Sequence, residues 1–438
     1  MTHRATGAPV IVTCKWEPKL IKALLALTPH VHVVLDQFDV DHRKPDWDLL
    51  RSAESVRTIS SFSALEELAT LAVDFMTRKV AVDRIISYGE FSQLGAGYLA
   101  LLLGLRGADT RANVAVRDKR LMKQLVSQAN VATTRYESLP DPADQEAVAL
   151  VAKELSFPAV VKPAAGFGTM STIRVTSPDD LADTAATFAY ESVLNSRQLI
   201  VEEFVPGREL HVDALWSDGS PLMFAVSAYY QTRLEVNEGK QADVTGDPVD
   251  GSYLIRPDDA PELHRRLLEL NRQVNDALDI GRAVTHMEVF ERPDGQLIFS
   301  EIASRVGGGW IPAMLSQFLG QDVWTAVATA LVEGRVDCPG PTARYLGAVH
   351  LQPGAPGVIT SLPTEDQLRA MPGVLDWRIL RSVGDKVSLN HPSEWCVFVI
   401  LGADTLAEYQ SLARQVIAEL AVVTEYDQSI PSIRGIDK

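Results

Sequence analysis

The sequence has 438 residues, of which 46% are hydrophobic and 22% are charged, and its formal net charge is −16. At about 150 residues per domain, this length predicts about three domains of ordinary globular composition, which excludes disordered, fibrous and membrane-spanning classes. Binding of a phosphate backbone needs a basic face, so the acidic balance argues against nucleic acid as a partner. Three scattered cysteines form neither a disulfide nor a zinc pattern, and with no evident secretory leader we expect a cytoplasmic enzyme with no membrane partner.

The first hundred residues alternate short β-branched runs with helical stretches. The predicted strands are Val10–Thr13, Val31–Leu35 and Arg84–Ser87, and the predicted helices are Pro18–Leu27, Ala64–Arg78 and Phe91–Leu105. Strands separated by helices indicate a parallel sheet with crossover helices. The pair Gly95-Ala-Gly97 lies inside a helical pattern rather than at a strand-to-helix turn, which favours close helix packing over dinucleotide binding.

The sequence pattern changes at Asp118, where a charged helix is predicted to begin. The elements predicted after it are a helix at Ala143–Leu155, strands at Phe157–Lys162, Ser171–Thr176, Gln198–Phe204, His211–Trp216 and Met223–Tyr230, and a helix at Pro261–Leu278. Two further strands, Thr285–Glu291 and Gln296–Ile302, flank a Pro-Asp-Gly turn. Residues 232–257 are polar and aperiodic, which is typical of a functional or mobile loop. The tail holds Pro/Gly-rich strands and a final helix near Leu406–Leu420.

A glycine-bearing loop, Gly166–Ser171, follows Lys162 at the end of one predicted strand and precedes another. It is not a P-loop, which needs a following helix and a Gly-Lys-Ser/Thr ending. Glycine lets backbone N–H groups approach phosphates closely, and a lysine at the strand end adds a positive charge to the same site. A plain β-hairpin loop beside a surface lysine explains the same residues equally well.

Two acidic residues, Glu288 and Glu301, stand in otherwise apolar strands on either side of the Pro-Asp-Gly turn. A buried carboxylate needs a cation or several hydrogen-bond donors. Two facing carboxylates are suited to Mg²⁺, which takes one or two carboxylates together with nucleotide phosphates. Structural ion pairs on an exposed face are the alternative interpretation.

Two other motifs indicate binding of polar groups. The pair Glu202-Glu203 ends a strand, where a carboxylate and backbone groups are available to an adenine and its ribose. Arg305 precedes three consecutive glycines, Gly307, Gly308 and Gly309, and a predicted helix begins directly after them. A guanidinium fork beside open N–H groups favours a site for a carboxylate or phosphoryl group over a flexible linker.

The order of these signals resembles the ATP-grasp superfamily over about residues 85–335. Leu103-Gly-Leu-Arg-Gly107 followed by Arg117-Asp-Lys119-Arg-Leu-Met122 is similar to the start of that family's nucleotide-binding domain. Thr285-His-Met-Glu-Val-Phe290, together with Glu301-Ile-Ala-Ser-Arg305-Val-Gly-Gly-Gly309, looks most like the L-amino-acid ligases. Those enzymes join amino acids and make dipeptides or modified peptide natural products.

The resemblance implies an α/β fold with the ATP-grasp architecture. Its parts are a Rossmann-like parallel-sheet domain at residues 1–112, an ATP-binding region with a small lobe at 113–205 and a large lobe at 206–338, and a C-terminal α+β lid-like lobe at 339–438. The implied reaction forms an amide between amino-acid or peptide substrates through an acyl-phosphate, with release of ADP and phosphate. ATP and Mg²⁺ are the implied cofactors, with Mn²⁺ as a substitute. We expect a homodimer, because closed twofold assemblies are the commonest.

The resemblance also implies which residues contact ATP. They are Lys119, Lys162, Gly166, Gly168, Thr169, Glu202, Glu203, Val205 and Glu209. The two lysines contact the phosphates and the glycine loop covers them. The first glutamate and the strand end meet the adenine, and Glu209 takes the ribose.

The remaining implied roles concern the metal ion and the amino-acid substrate. Glu288 and Glu301 hold Mg²⁺, and Arg305 acts with Lys162 as a catalytic residue that stabilises the transferring phosphoryl group. The run Gly307–Gly309 lies against the amino-acid substrate. Position 303 is Ala where the family often has Asn, so a single ion held by two glutamates and water is an alternative to a two-metal site.

The glycine loop departs from the family pattern, and two other functions stay open. The loop reads Gly168-Thr169-Met170-Ser171 where Gly-Ser-x-Gly is usual; Thr169 keeps a hydroxyl, whereas Ser171 restricts the backbone. One alternative is a biotin carboxylase-like or purine-pathway ligase, which the run His350-Leu-Gln-Pro-Gly354 generally resembles. The other is a degenerate protein that only binds nucleotide, although such a protein does not need metal ligands aimed at phosphates.

Overall fold

The N-terminal part of the chain forms a parallel four-stranded sheet. The computed structural model describes residues 7–105, 108–190, 194, 196–239, 246–389, 394–427 and 430. The strands are β1 (Ile11–Cys14), β2 (Val31–Asp36), β3 (Ser55–Ile59) and β4 (Arg84–Ser87), in the order β3-β2-β1-β4. The order reverses between β1 and β4, so the carboxyl edge there is a switch point of the kind where ligands bind in α/β sheets.

Helices α1 (Pro18–Leu27), α2 (Trp47–Leu50), α3 (Leu65–Thr77) and α4 (Gln93–Leu102), a π-helical turn (Asp39–Arg43) and a 3-10 turn (Glu90–Ser92) accompany this sheet. Proline at the first position of α1 and the Glu17 carboxylate on the Lys19 N–H fix where that helix begins. The predicted N-terminal strands and helices are confirmed within a few residues. Strand β3 is an addition, because its half-buried edge position leaves no apolar run in the sequence.

A small antiparallel sheet follows. Its elements are α5 (Ala108–Ala115), α6 (Lys119–Gln128), β5 (Tyr136–Leu139), α7 (Gln145–Glu154), β6 (Ala159–Pro163), β7 (Ile173–Val175), α8 (Pro178–Ala186) and β8 (Leu199–Glu203), and the strand order is β5-β8-β6-β7. Ala159 and Val161 of β6 point into the small core with Leu181 of α8. Lys162 therefore points to the opposite face of the sheet, since successive side chains alternate.

The rest of the chain builds an eight-stranded sheet and a small three-stranded one. The elements are β9 (Arg208–Ser217), β10 (Ser220–Tyr229), α9 (Arg233–Asn237), β11 (Gly251–Leu254), α10 (Pro261–Leu278), β12 (Ala283–Glu291), β13 (Leu297–Ala303), α11 (Ile311–Leu319), α12 (Val323–Glu333), β14 (Tyr345–Leu351), β15 (Gly357–Ser361), α13 (Glu365–Ala370), β16 (Val374–Ile379), β17 (Lys386–Val387), β18 (Val397–Ala403), α14 (Leu406–Glu419) and β19 (Val423–Glu425). The orders are β13-β12-β9-β10-β11-β14-β18-β16 and β17-β15-β19. Within the described ranges, every helix is too short or too polar to cross a membrane.

Strands from both sides of residue 338 share the larger sheet, because β11 pairs with β14. The domain boundaries given above stay a prediction, but the C-terminal lobe is continuous with the large lobe through this pairing. The loop predicted at residues 232–257 is wrong in part, since it contains α9 and β11; residues 240–245 lie outside the described part. A capping box between Thr232 and Glu235 starts α9, and β11 is too short to give a strand pattern.

The β11–β14 contact gives a stability prediction. A Cβ atom at Gly347 would lie 1.9 Å from the hydroxyl oxygen of Tyr409 and 2.9 Å from the carbonyl oxygen of Ser252. We expect Gly347→Ala to lower the free energy of unfolding by about 1–3 kcal/mol through overpacking, as measured by denaturant titration. The matched control is Gly354→Ala, whose Cβ would meet nothing within 4 Å. Equal stability of the two variants would contradict the packing at β14.

Candidate active site

A cleft between the small sheet and strands β12 and β13 collects most of the residues singled out in the sequence. Its open space is about 740 Å³, part of which is solvent. The sequence-predicted residues that line it are Lys119, Lys162, Gly166, Thr169, Glu202, Glu203, Val205, Glu209, Glu288 and Glu301. Gly168, Arg305 and the run Gly307–Gly309 are not among its lining residues. The cleft thus combines side chains from both lobes.

The paired carboxylates of the sequence analysis lie directly opposite each other, because Glu288 of β12 and Glu301 of β13 are cross-strand partners. The Oε2 atom of Glu301 lies 2.8 Å from Lys119 Nζ and 3.9 Å from Lys162 Nζ. Although burial acts in the other direction, these two ammonium groups lower the pKa of Glu301 to about 2. The carboxylate is therefore ionised at neutral pH.

The residues present fit a divalent metal ion at this pair. Glu301 Oε2 is buried and has no well-directed hydrogen bond, in spite of the nearby lysines. The Oε1 atom of Glu288 has two long side-chain contacts, 3.4 Å from the Tyr229 hydroxyl and 3.6 Å from His286 Nε2. Two carboxylates with free acceptor capacity are ligands that Mg²⁺ and Mn²⁺ accept.

Glu202 lies between two lysines on the cleft floor. Its Oε2 atom is 3.2 Å from Lys162 Nζ, and its Oε1 atom is 3.5 Å from Lys123 Nζ. Lys123 also donates to the Ser300 carbonyl at 2.7 Å and is fully buried. Burial lowers the pKa of Lys123 to about 8, against the attraction of Glu202. Sequence reasoning missed Lys123, although its position one turn after Lys119 on α6 places both on one helix face.

The glycine loop is fixed at both ends. The carbonyl of Gly166 accepts hydrogen bonds from Lys119 Nζ at 2.9 Å and from Arg117 at 3.3 Å. Thr169 and Ser171 both have left-handed backbone, at φ of 54° and 51°, which is rare outside glycine. The side chain of Ser171 donates to the Ala189 carbonyl at 3.0 Å. Ser171 thus adopts a glycine-like conformation, held by its own hydroxyl.

Glu209 is buried beside the predicted ribose site. Its Oε2 atom accepts the backbone N–H of Arg233 at 2.7 Å. Burial, together with the charge of Glu288, raises the pKa of Glu209 to about 8. The guanidinium of Arg233 pairs with Asp250 and lies 5.5 Å from the ring centres of Tyr229 and Trp310. Glu209 is therefore an uncharged hydrogen-bonding group over much of the neutral range.

Arg305 and the glycine run lie next to the cleft, on the side of the N-terminal domain. The Nε atom of Arg305 donates to Glu90 Oε2 at 2.7 Å. The run precedes α11, and a Cβ at Gly307 would lie 2.6 Å from Ile311 Cδ1 and 2.9 Å from His286 Nδ1, so a larger residue would displace both side chains. Gly309 has a φ of 63°, and its Cβ direction faces Phe398 and Trp395 at 3.7 Å.

Two buried histidines and an aspartate form a hydrogen-bonded cluster next to Glu288. Asp213 accepts from His211 Nδ1 at 2.7 Å and from His286 Nδ1 at 2.9 Å. His286 Nε2 lies 3.6 Å from Glu288 Oε1. Burial lowers the pKa of His286, but the Asp213 carboxylate outweighs it and raises the value to about 10. His286 is thus a hydrogen-bonded residue of β12 that lies on the same face as Glu288.

The pKa of Glu209 gives a prediction for stability against pH. Because its folded-state pKa of about 8 lies above the unfolded value, the folded protein keeps an extra proton, and stability falls as pH rises from about 4.5 to 8. Glu209→Gln removes this loss, so we expect the variant to gain on the order of a few kcal/mol over wild type between pH 5 and 8 in thermal unfolding.

The control for this prediction is Glu419→Gln, which changes an exposed glutamate at the end of α14. We expect this variant to follow the wild-type pH profile. Parallel profiles of Glu209→Gln and wild type would show that Glu209 is ionised in the folded protein below pH 8.

Two domain families match this chain. Residues 155–313 match the family described as ATP-grasp domain, and residues 349–425 match L-amino acid ligase C-terminal domain 2. The first match contains Lys162, the glycine loop, both strand glutamates and Arg305. The second contains β18, whose Phe398 lies beside Gly309.

Known proteins resemble the chain over most of its length. An L-arginine-specific L-amino acid ligase of Bacillus subtilis is 24% identical over 347 residues, which is 78% of this chain and 80% of that protein. A D-alanine–D-alanine ligase of Bacillus velezensis is 25% identical over 215 residues, 46% of this chain and 55% of the relative. The crystal structure of an L-amino acid ligase from Bacillus licheniformis shares the fold, with a TM-score of 0.73 at 16% identity, covering 96% of this chain and 100% of that one. The chain therefore contains an ATP-grasp domain and a C-terminal domain of the L-amino acid ligase type.

Proposed function

We propose that this protein joins two amino-acid-like substrates by an amide bond, through an acyl-phosphate, with release of ADP and phosphate. The observation that carries the proposal is the Glu288–Glu301 pair facing Lys119 and Lys162 across one cleft. ATP-grasp ligases use ATP with a divalent metal ion, and the carboxylate pair fits Mg²⁺. A carboxylate is a poor electrophile, and its phosphorylation supplies the leaving group that an attacking amine needs.

The chain's own residues position the triphosphate and neutralise its charge. Lys119 and Lys162 place ammonium groups at the inner end of the cleft, where the Gly166–Ser171 loop covers them. Mg²⁺ held by Glu288 and Glu301 would add positive charge at the transferring phosphoryl group. We assign Arg305, which precedes the glycine run, to the substrate carboxylate and then to the acyl-phosphate, because a guanidinium group stabilises such oxyanions.

The C-terminal domain favours amino acids over bicarbonate as the substrate. It matches the L-amino acid ligase domain at residues 349–425, and it supplies the aromatic side chains of Trp395 and Phe398 beside Gly309. Apolar aromatic walls suit an amino-acid side chain better than a small anion such as bicarbonate. The biotin carboxylase-like alternative lacks such support from this region.

The carboxylate pair gives a prediction for metal binding. Glu301→Gln removes a negative charge next to two lysines, so we expect kcat to fall at least about 100-fold and Mn²⁺ binding in the presence of ADP to weaken in parallel. Electron paramagnetic resonance of free Mn²⁺ measures the binding. The matched control is Glu291→Gln, on the same hairpin but paired with Arg208. Mn²⁺ binding that is equal in both variants would rule out Glu301 as a ligand.

The acyl-phosphate gives a prediction for the products. The lysines and the loop surround the terminal phosphates, so we expect attack at the γ-phosphorus with ADP as the nucleotide product. A panel of amino acids, singly and in pairs, identifies the substrates by phosphate release and mass detection of the product. Hydroxylamine should then trap the activated carboxylate as a hydroxamate. AMP and pyrophosphate as products would contradict the mechanism.

A further inference from the structure

A buried carboxylate from the N-terminal domain, Glu90, joins two arginines at the edge of the active site. Its Oε2 atom accepts from Arg305 Nε at 2.7 Å, and its Oε1 atom accepts from Arg117 Nη1 at 3.3 Å. Burial opposes ionisation, but the charges of Arg305 and Arg117 lower the pKa of Glu90. The side chain of Glu90 is only 12% exposed, so little water screens these interactions.

The segment that carries Glu90 is held rigidly at the carboxyl edge of the parallel sheet. The Ser87 and Ser92 hydroxyls are 2.7 Å apart, and Ser92 also donates to the Gly89 carbonyl at 2.9 Å, which closes the turn after β4. One residue further on, Gln93 donates to the Ser304 carbonyl at 3.2 Å. The turn is thus tied to the backbone directly before Arg305 as well as to its side chain.

The first consequence concerns the orientation of Arg305. Its guanidinium has a bond to Glu90 through Nε and a bond from Nη1 to the Val306 carbonyl at 3.0 Å. These two contacts fix the plane of the guanidinium and leave Nη2 without a hydrogen bond recorded among the described residues. An arginine held in this way loses little rotational freedom when it binds an oxyanion, which is the basis of preorganised charge stabilisation.

The second consequence concerns the phosphate-covering loop. Arg117 donates both to Glu90 and to the carbonyl of Gly166 at 3.3 Å. The rings of Phe91 and Phe167 meet edge to face, with centres 4.9 Å apart, and the Arg117 guanidinium lies 5.7 Å from the centre of the Phe91 ring. The loop therefore contacts the N-terminal domain directly through the Phe91–Phe167 pair and indirectly through Arg117, which binds both Gly166 and Glu90.

We propose that Glu90 is a positioning residue that orients Arg305 and, through Arg117, docks the Gly166–Ser171 loop on the N-terminal domain. The inference rests on the proposed function, in which Arg305 binds the substrate carboxylate and then the acyl-phosphate, and the loop covers the phosphate end of the cleft. One carboxylate then links the residue that stabilises charge with the segment that excludes water. Its loss should impair both phosphoryl transfer and the protection of the acyl-phosphate.

The test is Glu90→Gln, which keeps the size of the side chain and removes its charge. We expect kcat to fall about 10- to 100-fold, because a small misplacement of a catalytic group has effects of this size, and the KM for ATP to change less than about threefold. Phosphate release should exceed amide formation, whereas the wild type should release one phosphate per amide. The control is Glu67→Gln, a hydrogen-bonded but exposed glutamate of the same domain.

A second pair of variants separates positioning from folding. Glu90→Gln leaves the positive charges of Arg117 and Arg305 without a carboxylate between them. The double variant Glu90→Gln with Arg117→Gln restores the charge balance, so we expect it to restore thermal stability while kcat stays low.

Phe91→Leu removes only the aromatic contact, and we expect it to raise the ratio of phosphate to amide with a smaller effect on kcat. A kcat and a ratio within twofold of wild type in Glu90→Gln would overturn the proposal.

Hydrogen–deuterium exchange of the loop peptide gives a readout that does not need turnover. We expect residues 166–171 to exchange at least about fivefold faster in Glu90→Gln than in wild type or in Glu67→Gln, both with ADP and Mg²⁺. Unchanged exchange would overturn the docking of the loop by Glu90. If the wild type forms ADP with no amino acid, the proposed function fails, whereas the exchange experiment still decides whether Glu90 docks the loop.

Discussion

The active site depends on the mutual compensation of charges that are buried in the cleft. Lys119, Lys123 and Lys162 lie close to Glu202 and Glu301, so these buried charges are paired with charges of opposite sign. Removing one partner would leave an uncompensated buried charge, which costs several kcal/mol. The cations of the cleft are thus concentrated locally, although the chain as a whole has a net charge of −16.

The register of two sheets places these groups. In the small sheet, Val160 of β6 pairs with Glu202 of β8 and Lys162 pairs with Ile200, so the lysine and the glutamate share one face. In the large sheet, the β12–β13 hairpin sets Glu288 opposite Glu301. A shift of one residue in either sheet would turn its charged pair toward an apolar core. Packing of the apolar core on one face of each sheet therefore fixes the positions of the charged side chains on the other face.

Local patterns in the sequence predicted what depends on local structure. Helices Pro18–Leu27 and Pro261–Leu278 have the predicted bounds, and the turn between the two glutamate strands made their pairing predictable. The contacts of Glu90 with Arg305 and of Lys123 with Ser300 span 215 and 177 residues. Neither hydrophobic periodicity nor a turn signal predicts contacts between residues so far apart in the sequence. For this reason Glu90 becomes visible as part of the site only in the folded protein, whereas the four-residue spacing of Lys123 from Lys119 on α6 was a local signal for Lys123.

The two ends of the site come from different parts of the chain, and this division bears on substrate choice. The nucleotide end is built by α6, β6, β8 and the β12–β13 hairpin, all within or next to the ATP-grasp match. At the glycine run, Phe398 and Trp395 approach from the C-terminal domain, and Asp250 connects Arg233 to His350 of β14. The C-terminal strands extend the same sheet, and Asp250 links His350 to Arg233, which lines the cleft together with Lys119 and Lys162. A change in the C-terminal domain can therefore reach both the glycine run and the cleft.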